Sequence, residues 1–483
     1  MTKFEVVLIA TPGFGNLVPI VEFAQRIIDH DHRFSATILI INMPGRPLLD
    51  LYIQSRVATS TTNIRFVHLP TVDFPSSDHS KIFIAHVTSL IEKHKHHVKE
   101  AITNLMAPEL DSDDSESNSV PQLAGLFVDM FCSSIIDVAK ELDIPCYLYF
   151  ASPASFLSFI LHLPVLDTQT QLTTEFAESD TKLVIPGFVD PVPPSVFPPV
   201  AFTEDGYSCY MYHALRYTQT KGIVINTLQE LESHALNSFS TSQMPRVYPI
   251  GPVLDLVGSA KWHPDRAHHE SIIRWLEDQP SSSVVFLCFG SMGCLDEPQV
   301  REIAHGLERA RFRFLWSLRE PPRVLLDQPD EYTNIEEVLP NGFLDRTSDI
   351  GLVCGWISQV SILAHKAIGG FVSHCGWNSI LESLWHGVPI ATWPIYAEQQ
   401  LNAFKMVKEL GLAVEISLDY RRGSNKLVLA EEIERGIKCL MDGDSEVRKK
   451  VKEMSINARM AVMENGSSYT SLGTLIEELA NNI

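Results

Sequence analysis

Short apolar runs alternate with segments of helical spacing along most of the chain. Two strand–turn–helix openings stand out: residues 5–10 (EVVLIA) lead into a turn at 11–15, and residues 284–289 (VVFLCF) lead into a turn at 290–293. Continuous apolar strands between helices are typical of parallel sheets that helices cover on both faces. The pattern therefore predicts an α/β protein with two doubly wound, Rossmann-like domains.

The predicted strands all carry a continuous apolar run. In the first domain they are residues 5–10, 36–42, 64–69, 123–129, 146–151 and 222–226, and in the second domain they are 284–289, 312–318, 351–355, 368–373, 388–393 and 412–416. Apolar side chains recur at helical spacing from Leu17 to Ile28, and Asn16 just before them is expected to be the N-cap of that helix. The chain closes with predicted helices near 430–442, 446–464 and 467–481.

The domain boundary is predicted near Gly251 and Pro252. The stretch that follows has no clear periodicity and is rich in histidine and charged residues, which is typical of an exposed linker. The predicted segments are an N-terminal domain of residues 1–252, a linker at 253–270, a C-terminal domain at 271–465 and a closing helix at 466–483 that packs back on the N-terminal domain.

Composition and charge narrow the class of partner. The 483 residues include 38 Lys and Arg against 59 Asp and Glu, a net charge of −21. A surface this acidic repels phosphate backbones and anionic lipids, so we expect neither nucleic-acid binding nor stable membrane insertion. The eight cysteines form no C-x-x-C pair, which favours buried thiols in a reducing, cytoplasmic setting. The apolar window at 144–166 is interrupted by prolines and is interpreted as core.

The turn after the strand at 368–373 is the clearest candidate for chemistry. Residues 374–379 read HCGWNS, where Gly376 permits close backbone approach and Asn378 and Ser379 can cap a helix or donate to a phosphate. His374 adds a donor, and helix N-termini at the carboxyl ends of parallel strands bind anions. From these residues alone, a phosphate cradle and a capped helix with a buried His and Trp stay equally open.

A longer stretch around this turn resembles a known family. Residues 356–399, 44 positions in all, are similar in length and order to the signature box of plant secondary-product glycosyltransferases. The agreeing positions are Trp356, Gln359, residues 374–379, Glu382, Gly387, Pro389, Trp393, Pro394, Glu398 and Gln399. The remaining chain is also similar, including VVFLCFGS at 284–291. The resemblance implies a family-1, UDP-sugar-dependent transferase of the GT-B fold, with two domains facing a cleft, UDP-glucose as donor substrate, and no metal or cofactor.

The resemblance also implies roles for single residues in donor binding. Trp356 would stack on uracil with Ile357, Ser358 and Gln359 at its edge, Glu382 would accept from the ribose hydroxyls, and Ser291, His374, Asn378 and Ser379 would hold the diphosphate with Cys375 and Gly376 in the same turn. Trp377, Glu398 and Gln399 would contact the sugar, Tyr396 and Ala397 would belong to the same UDP-sugar-binding loop, and Gln399 is typical of glucose donors. Ser358 stands where the family usually has Pro, and we expect a small effect because the contacts there are mainly backbone.

The N-terminal domain departs from the family at its catalytic base. The family pattern G-H-x-x-P reads GNLVP at 15–19, so Asn16 replaces the histidine, whereas its partner Asp129 is kept at the end of a predicted strand. An amide cannot take a proton at neutral pH, and loss of a general base costs about 10²–10⁴-fold in rate. Four interpretations stay open: Asn16 is only an N-cap, the acceptor arrives ionised, Asp129 takes the proton while Asn16 positions the acceptor, or transfer is lost. Our hypothesis combines the second and third.

The acceptor is expected between the two domains. Its predicted neighbours are Phe14, Asn16, Phe131, Phe150 and Ile395, which suit a flat, apolar molecule such as a phenolic, flavonoid, terpenoid or carboxylic acid. The sequence thus predicts an inverting UDP-glucose-dependent glucosyltransferase of plant secondary metabolism. The alternative is a non-catalytic protein that binds a UDP-sugar or lipophilic ligand. A nicotinamide enzyme is disfavoured because Val18 stands at the third glycine position of the dinucleotide fingerprint. The oligomeric state stays open.

Overall fold

The computed structural model describes residues 3–43, 45–59, 63–73, 83–107, 121–169, 174–240, 244–259, 262–263, 265–322, 328–424 and 426–482. By their internal contacts they form two compact units. The N-terminal unit comprises Met1–Leu172, Val200–Leu254 and Met460–Ile483, and the C-terminal unit comprises Thr173–Pro199 and Asp255–Arg459.

The N-terminal unit is built on a seven-stranded parallel sheet. Its strands are β1 Phe4–Ile9, β2 Phe34–Ile40, β3 Ile64–His68, β4 Gln122–Asp129, β5 Cys146–Phe150, β6 Gly222–Ile225 and β7 Arg246–Pro249. They lie in the order β3-β2-β1-β4-β5-β6-β7. Every side chain of β1 is buried, as expected for a central strand that is covered on both faces.

The C-terminal unit is built on a second parallel sheet. Its strands are β8 Val284–Cys288, β9 Arg313–Ser317, β10 Gly351–Cys354, β11 Ile368–Ser373, β12 Ile390–Thr392 and β13 Ala413–Glu415, in the order β10-β9-β8-β11-β12-β13. In each sheet the strand order reverses beside the first strand, where β1 pairs with β2 and β4 and β8 pairs with β9 and β11. Ligands of doubly wound sheets bind at this reversal, beyond the carboxyl ends of the strands.

Helices connect the strands of both units. In chain order they are α1 Phe14–His30, α2 Pro47–Thr59, α3 Phe83–Met106, α4 Ile136–Glu141, α5 Ala154–Gln169, α6 Thr174–Ala177, α7 Glu204–Tyr217, α8 Gln229–Asn237, α9 Arg266–Glu277, α10 Glu297–Ala310, α11 Phe343–Thr347, α12 Gln359–Leu363, α13 Trp377–His386, α14 Gln399–Phe404, α15 Ala430–Met441, α16 Glu446–Val462 and α17 Ser467–Ala480. Lys405–Glu409 continue α14 as a π-helical turn.

The prediction of two doubly wound α/β domains is confirmed, and each predicted strand lies within two residues of an observed one. Strand β7 was not predicted, because only Tyr248 of its four residues is buried and the strand ends in a proline. The N-cap prediction for Asn16 is wrong: the N-cap is Gly13, three residues earlier, and the Leu17 amide donates to the Gly13 carbonyl at 2.8 Å. Within the described residues, no helix is long and apolar enough to cross a membrane.

Two segments belong to a different unit from the residues next to them in sequence: 174–199 and the end of the chain from 460. Residues 174–199 fall inside the predicted N-terminal domain, but they belong to the C-terminal unit. Lys405 Nζ donates to the Gly187 carbonyl at 3.1 Å, and Glu409 Oε1 accepts from the Val189 amide at 2.9 Å. These contacts hold the segment against the π-helical turn.

Helix α17 packs within the N-terminal unit. Its Glu478 accepts hydrogen bonds from the hydroxyls of Tyr147, at 2.8 Å, and Tyr248. Because these tyrosines come from β5 and β7, the end of the chain is fixed to the sheet of the first unit.

Candidate functional site

In the N-terminal unit, a buried carboxylate lies where β4 ends. Asp129 is 1% exposed and accepts hydrogen bonds from Thr11 Oγ1 at 2.9 Å and from the Phe131 amide at 2.7 Å. The side chain of Asn16, the third residue of α1, also hydrogen-bonds to this carboxylate. The two predicted catalytic residues therefore meet, because the turn after β1 brings the start of α1 beside the end of the neighbouring strand β4.

Burial changes the acidity of Asp129. It raises the pKa of the carboxyl group to about 6, although the hydrogen bonds from Phe131, Thr11 and Asn16 act in the opposite direction. At neutral pH the group is mainly ionised, yet it is a stronger base than an ordinary aspartate. The Asn16 amide, held by its hydrogen bond to Asp129, can orient a ligand beside it, and the Asp129 carboxylate can accept a proton from that ligand.

The aromatic residues predicted near the acceptor differ in exposure. Phe14 and Phe131 are partly exposed, and Phe14 contacts Tyr52 edge to face with ring centroids 6.2 Å apart. Phe150 is fully buried in the core of the N-terminal unit, and Ile395 in the C-terminal unit is 1% exposed. Phe14 and Phe131 thus offer surface to a ligand, whereas Phe150 and Ile395 pack inside their units.

In the C-terminal unit, the imidazole of His374 follows β11 and fits between two glycines. A Cβ atom at Gly290 or at Gly376 would lie 2.5 Å from His374 Nε2, so neither position has room for a side chain. Gly290 also has a φ of +76°, which favours glycine. Burial, with Arg319 nearby, lowers the pKa of His374 to about 3, so the imidazole is neutral. Its Nδ1 is buried without a hydrogen-bond partner among the described residues.

Helix α13 begins directly beyond this ring. Gly376 is its N-cap and supplies no capping side chain, so the first amides of the helix are not capped by that residue. Asn378 is partly exposed in the first turn, and Trp377 and Ser379 are buried. Cys375, just before the helix, has a φ of +62°, and burial raises the pKa of its thiol to about 12, which argues against a nucleophilic role. The start of α13 has the polarity that suits an anion.

Gln359 connects α12 with α13. Its Nε2 donates to Glu382 Oε2 at 2.7 Å and to Ser379 Oγ at 2.8 Å. Burial raises the pKa of Glu382 to about 7, with a further contribution from the charge of Asp255. Ile357 and Ser358 are both buried, and the Ser358 hydroxyl hydrogen-bonds to the hydroxyl of Ser361 instead of capping α12.

The indole of Trp356 lies at the edge of the same site. It is partly exposed and nearly parallel to the His263 ring, with an interplanar angle of 11° and centroids 6.1 Å apart. The Trp356 amide donates to Glu331 Oε1 at 3.1 Å, which fixes the backbone at the end of β10. A flat, partly exposed aromatic ring in this place can stack on a base.

The end of the predicted box forms a tight loop. Gln399 Oε1 accepts from the amides of Ile395 at 2.9 Å and Tyr396 at 3.0 Å, and Ala397 has a φ of +56°. Glu398 is partly exposed beside it. The side-chain oxygen of Gln399 therefore accepts hydrogen bonds from the loop backbone. This makes it a poorer candidate for direct contact with a sugar than the resemblance implied.

Sequence reasoning missed one residue of this site. Arg319 follows β9 and is 6% exposed, and its guanidinium carbon lies 5.4 Å from the Trp356 ring. The only signal in the sequence is a basic residue directly after a buried strand that neighbours β8. Ser291, by contrast, was expected here and lies in the loop that Arg319 contacts. Among the described residues, no group of three or more His, Cys, Asp or Glu side chains could hold a metal ion.

Comparison with known proteins gives matches along the whole chain. A family model described as "UDP-glucoronosyl and UDP-glucosyl transferase" matches residues 206–445. The chain is 57% identical over 483 residues to "UDP-glycosyltransferase 43" of Pueraria montana var. lobata, covering 100% of both. It is 46% identical to "UDP-glucose flavonoid 3-O-glucosyltransferase 6" of Fragaria ananassa, covering 98% of each. The crystal structure of Medicago truncatula UGT71G1 complexed with UDP-glucose superposes with a TM-score of 0.87 at 43% identity, covering 99% of this chain and 98% of that one.

Proposed function

Because the chain belongs to the UDP-glycosyltransferase family, we propose that it transfers glucose from UDP-glucose to a small lipophilic acceptor with an acidic hydroxyl or carboxyl group. The contact between Asn16 and Asp129 carries the acceptor part of this proposal. The donor part is supported by the solved relative that holds UDP-glucose and by the relative named for UDP-glucose and a flavonoid.

Donor binding is assigned to the C-terminal unit. Trp356 stacks on the uracil, and Glu382 accepts from the ribose hydroxyls while Gln359 keeps its carboxylate in place. The first turn of α13 and the loop at 290–293 bind the diphosphate, because helix N-termini and close backbone approach suit phosphate oxygens. Trp377 and Glu398 are assigned to the glucose. The proposal uses no metal ion, since protein groups stabilise the charge of the leaving UDP.

Acceptor activation is assigned to the N-terminal unit. The acceptor oxygen loses its proton and bonds to the anomeric carbon as the bond from that carbon to the UDP oxygen breaks, so the configuration inverts. Because the Asn16 amide donates to Asp129, its own carbonyl oxygen can accept a hydrogen bond from the acceptor but cannot take the proton. Asp129, with its raised pKa, takes it directly or through a water molecule.

This arrangement favours acidic acceptors. A carboxylic acid is ionised at neutral pH, and a phenol requires a weaker base than an aliphatic alcohol does. The absence of an imidazole at position 16 therefore lowers the transfer rate only slightly with these acceptors and strongly with neutral alcohols. We expect the order of rates to follow acceptor acidity.

The competing function is binding of a UDP-sugar without transfer, and the observation in its favour is Asn16 itself. A screen that measures UDP release and product mass separates the two functions. Transfer predicts product with at least one phenol or carboxylic acid, whereas the alternative predicts UDP-glucose binding and no product with any acceptor.

The role of Asn16 is tested with Asn16→His on a matched pair of acceptors, one neutral alcohol and one acidic phenol. Restoring an imidazole beside Asp129 should raise the rate on the alcohol by up to about 10²–10⁴-fold and change the phenol rate only a few-fold. Asn16→Ala is the control, because it removes the amide without supplying a base. Unchanged rates of Asn16→His on both acceptors would show that the missing base does not limit the reaction.

A further inference from the structure

A buried cation lies beside the loop to which we assign the diphosphate. The Arg319 guanidinium donates to the carbonyls of Ser291 at 3.0 Å, Gly293 at 3.3 Å and Gly290. The residue is only 6% exposed. The side chain therefore fixes the backbone of the loop at 290–293, and its charge is held inside the unit.

This charge has no ionic partner in the described part of the chain. No carboxylate of a described residue forms an ion pair with the guanidinium within 4.0 Å, and the charge of Glu331 acts on it only without such a contact. The buried Lys405, in contrast, lies 3.7 Å from Glu409. Carbonyl groups satisfy the N–H donors of Arg319 but do not neutralise its positive charge. A buried charge without a paired carboxylate is costly. Because this one adjoins the loop to which we assign the diphosphate, an anion bound there would offset that cost.

The surroundings of Arg319 identify the anion. Its guanidinium lies 5.4 Å from the ring of Trp356, which we assign to the base, and its charge contributes to the low pKa of His374 at the start of α13. The cation thus adjoins both the base-stacking ring and the phosphate-binding turn. In a nucleoside diphosphate the negatively charged phosphates are attached directly to the nucleoside. Such a ligand would place its base at Trp356 and its charge beside Arg319.

Resting on the proposed function, we propose that Arg319 supplies the positive charge that neutralises the diphosphate of the donor and of the departing UDP. The negative charge on UDP grows as the bond to glucose breaks, so a fixed buried cation stabilises the transition state more than the bound donor. Arg319 would then serve in this site as a divalent metal ion does in other phosphate chemistry. A purely structural role, in which Arg319 only holds the loop, is the alternative.

The test compares uridine with UDP in calorimetric titrations of the full-length protein and its variants at one pH and one salt concentration. Arg319→Gln keeps hydrogen-bond donors for the loop but removes the charge, and Arg319→Lys keeps the charge but loses the planar fork. Arg448→Gln is the matched control, because Arg448 is 8% exposed and donates to the carbonyls of Leu440 and Asp442.

We expect Arg319→Gln to weaken UDP binding by about 10- to 150-fold, the range for a lost charge-assisted contact, and uridine binding by less than about threefold. Arg319→Lys should retain most of the preference for UDP over uridine, and Arg448→Gln should leave it unchanged. If Arg319→Gln does not fold, the Lys variant decides: retention of the preference supports the proposal and its loss overturns it.

Two further results would overturn the inference. Equal losses of uridine and UDP affinity in Arg319→Gln would show that Arg319 only shapes the site, and an unchanged UDP preference in that variant would show that its charge is not used. Both results leave the proposed function standing as long as the unaltered protein prefers UDP. A lack of that preference in the unaltered protein would overturn the donor assignment together with this inference.

Discussion

Glu382 should make nucleoside binding depend on pH, because its carboxyl group titrates near neutrality. Burial raises its pKa from an ordinary value of 4.5 to about 7, while the Gln359 amide donates to the ionised form. The ionised carboxylate can accept a hydrogen bond from a ribose hydroxyl at each oxygen, whereas protonation turns one of the two oxygens into a donor. Binding should therefore strengthen as the pH rises through 7, and Glu382→Gln should abolish this dependence.

The size of the effect follows from the pKa. With a pKa of about 7, roughly one molecule in eleven is ionised at pH 6 and ten in eleven at pH 8, so uridine should bind about tenfold more tightly at pH 8. The same shift affects stability. Because its pKa is raised in the folded state, the ionised carboxyl group lowers the free energy of unfolding. This destabilisation is absent below the unfolded pKa near 4.5 and is complete above pH 7, where it amounts to at most about 3 kcal/mol.

Titration with uridine at pH 6 and pH 8 measures the first quantity, since uridine has no phosphate that titrates in this range. Denaturant unfolding of the protein and of Glu382→Gln measures the second, and the variant should gain stability relative to the unaltered protein as the pH rises from 4.5 to 7. Equal uridine affinity at the two pH values, or the same pH dependence in the variant, would refute this account of Glu382.

Two other substitutions test the remaining parts of the site. Asp129→Asn should lower kcat by about 10²–10⁴-fold and remove the fall in activity that we expect below pH 6, where the carboxylate with a pKa of about 6 becomes protonated; a pH–rate profile with a phenolic acceptor measures both. Gly376→Ala should weaken UDP binding, because the new Cβ would lie 2.5 Å from His374 Nε2 and overpacking of this kind costs about 1–3 kcal/mol.

Each of these variants has a control. Gly443→Ala adds the same methyl group where nothing lies within 4 Å, so UDP should bind as before. For Asp129→Asn, binding of UDP-glucose in the absence of acceptor should be unchanged, because the residue lies in the N-terminal unit and the donor is assigned to the other one. A pH–rate profile that keeps its acidic limb in Asp129→Asn would assign that limb to another group.

The sequence predicts the fold well because both sheets consist of buried parallel strands. Such strands are continuously apolar, and they are separated by helices with clear periodicity, as in β8 and the following α10. Strand β7 does not follow this pattern, because only Tyr248 of its four residues is buried. The start of α1 was misplaced because Asn16 is a good capping residue, while the actual N-cap, Gly13, uses no side chain.

The members of the site were predictable to the extent that they stand in one box of sequence. The contact between Gln359 and Glu382, and that between Asn16 and Asp129, required the positions of separate elements, which no local pattern contains. Arg319 was not predicted, because a single basic residue after a strand does not indicate a binding site. Only the strand order shows that it lies beside the loop at 290–293.

The crossing of the chain between the two units limits how hybrids of such proteins can be made. A hybrid joined once near residue 252 would take residues 174–199 from one parent and their anchors Lys405 and Glu409 from the other, and it would separate α17 from the tyrosines that hold Glu478. An intact exchange of the N-terminal unit must carry 200–254 and 460–483 along with it and leave 173–199 in place. Three separate segments of the coding sequence, not one, therefore have to be exchanged together to move the N-terminal unit, and with it acceptor preference, from one relative to another.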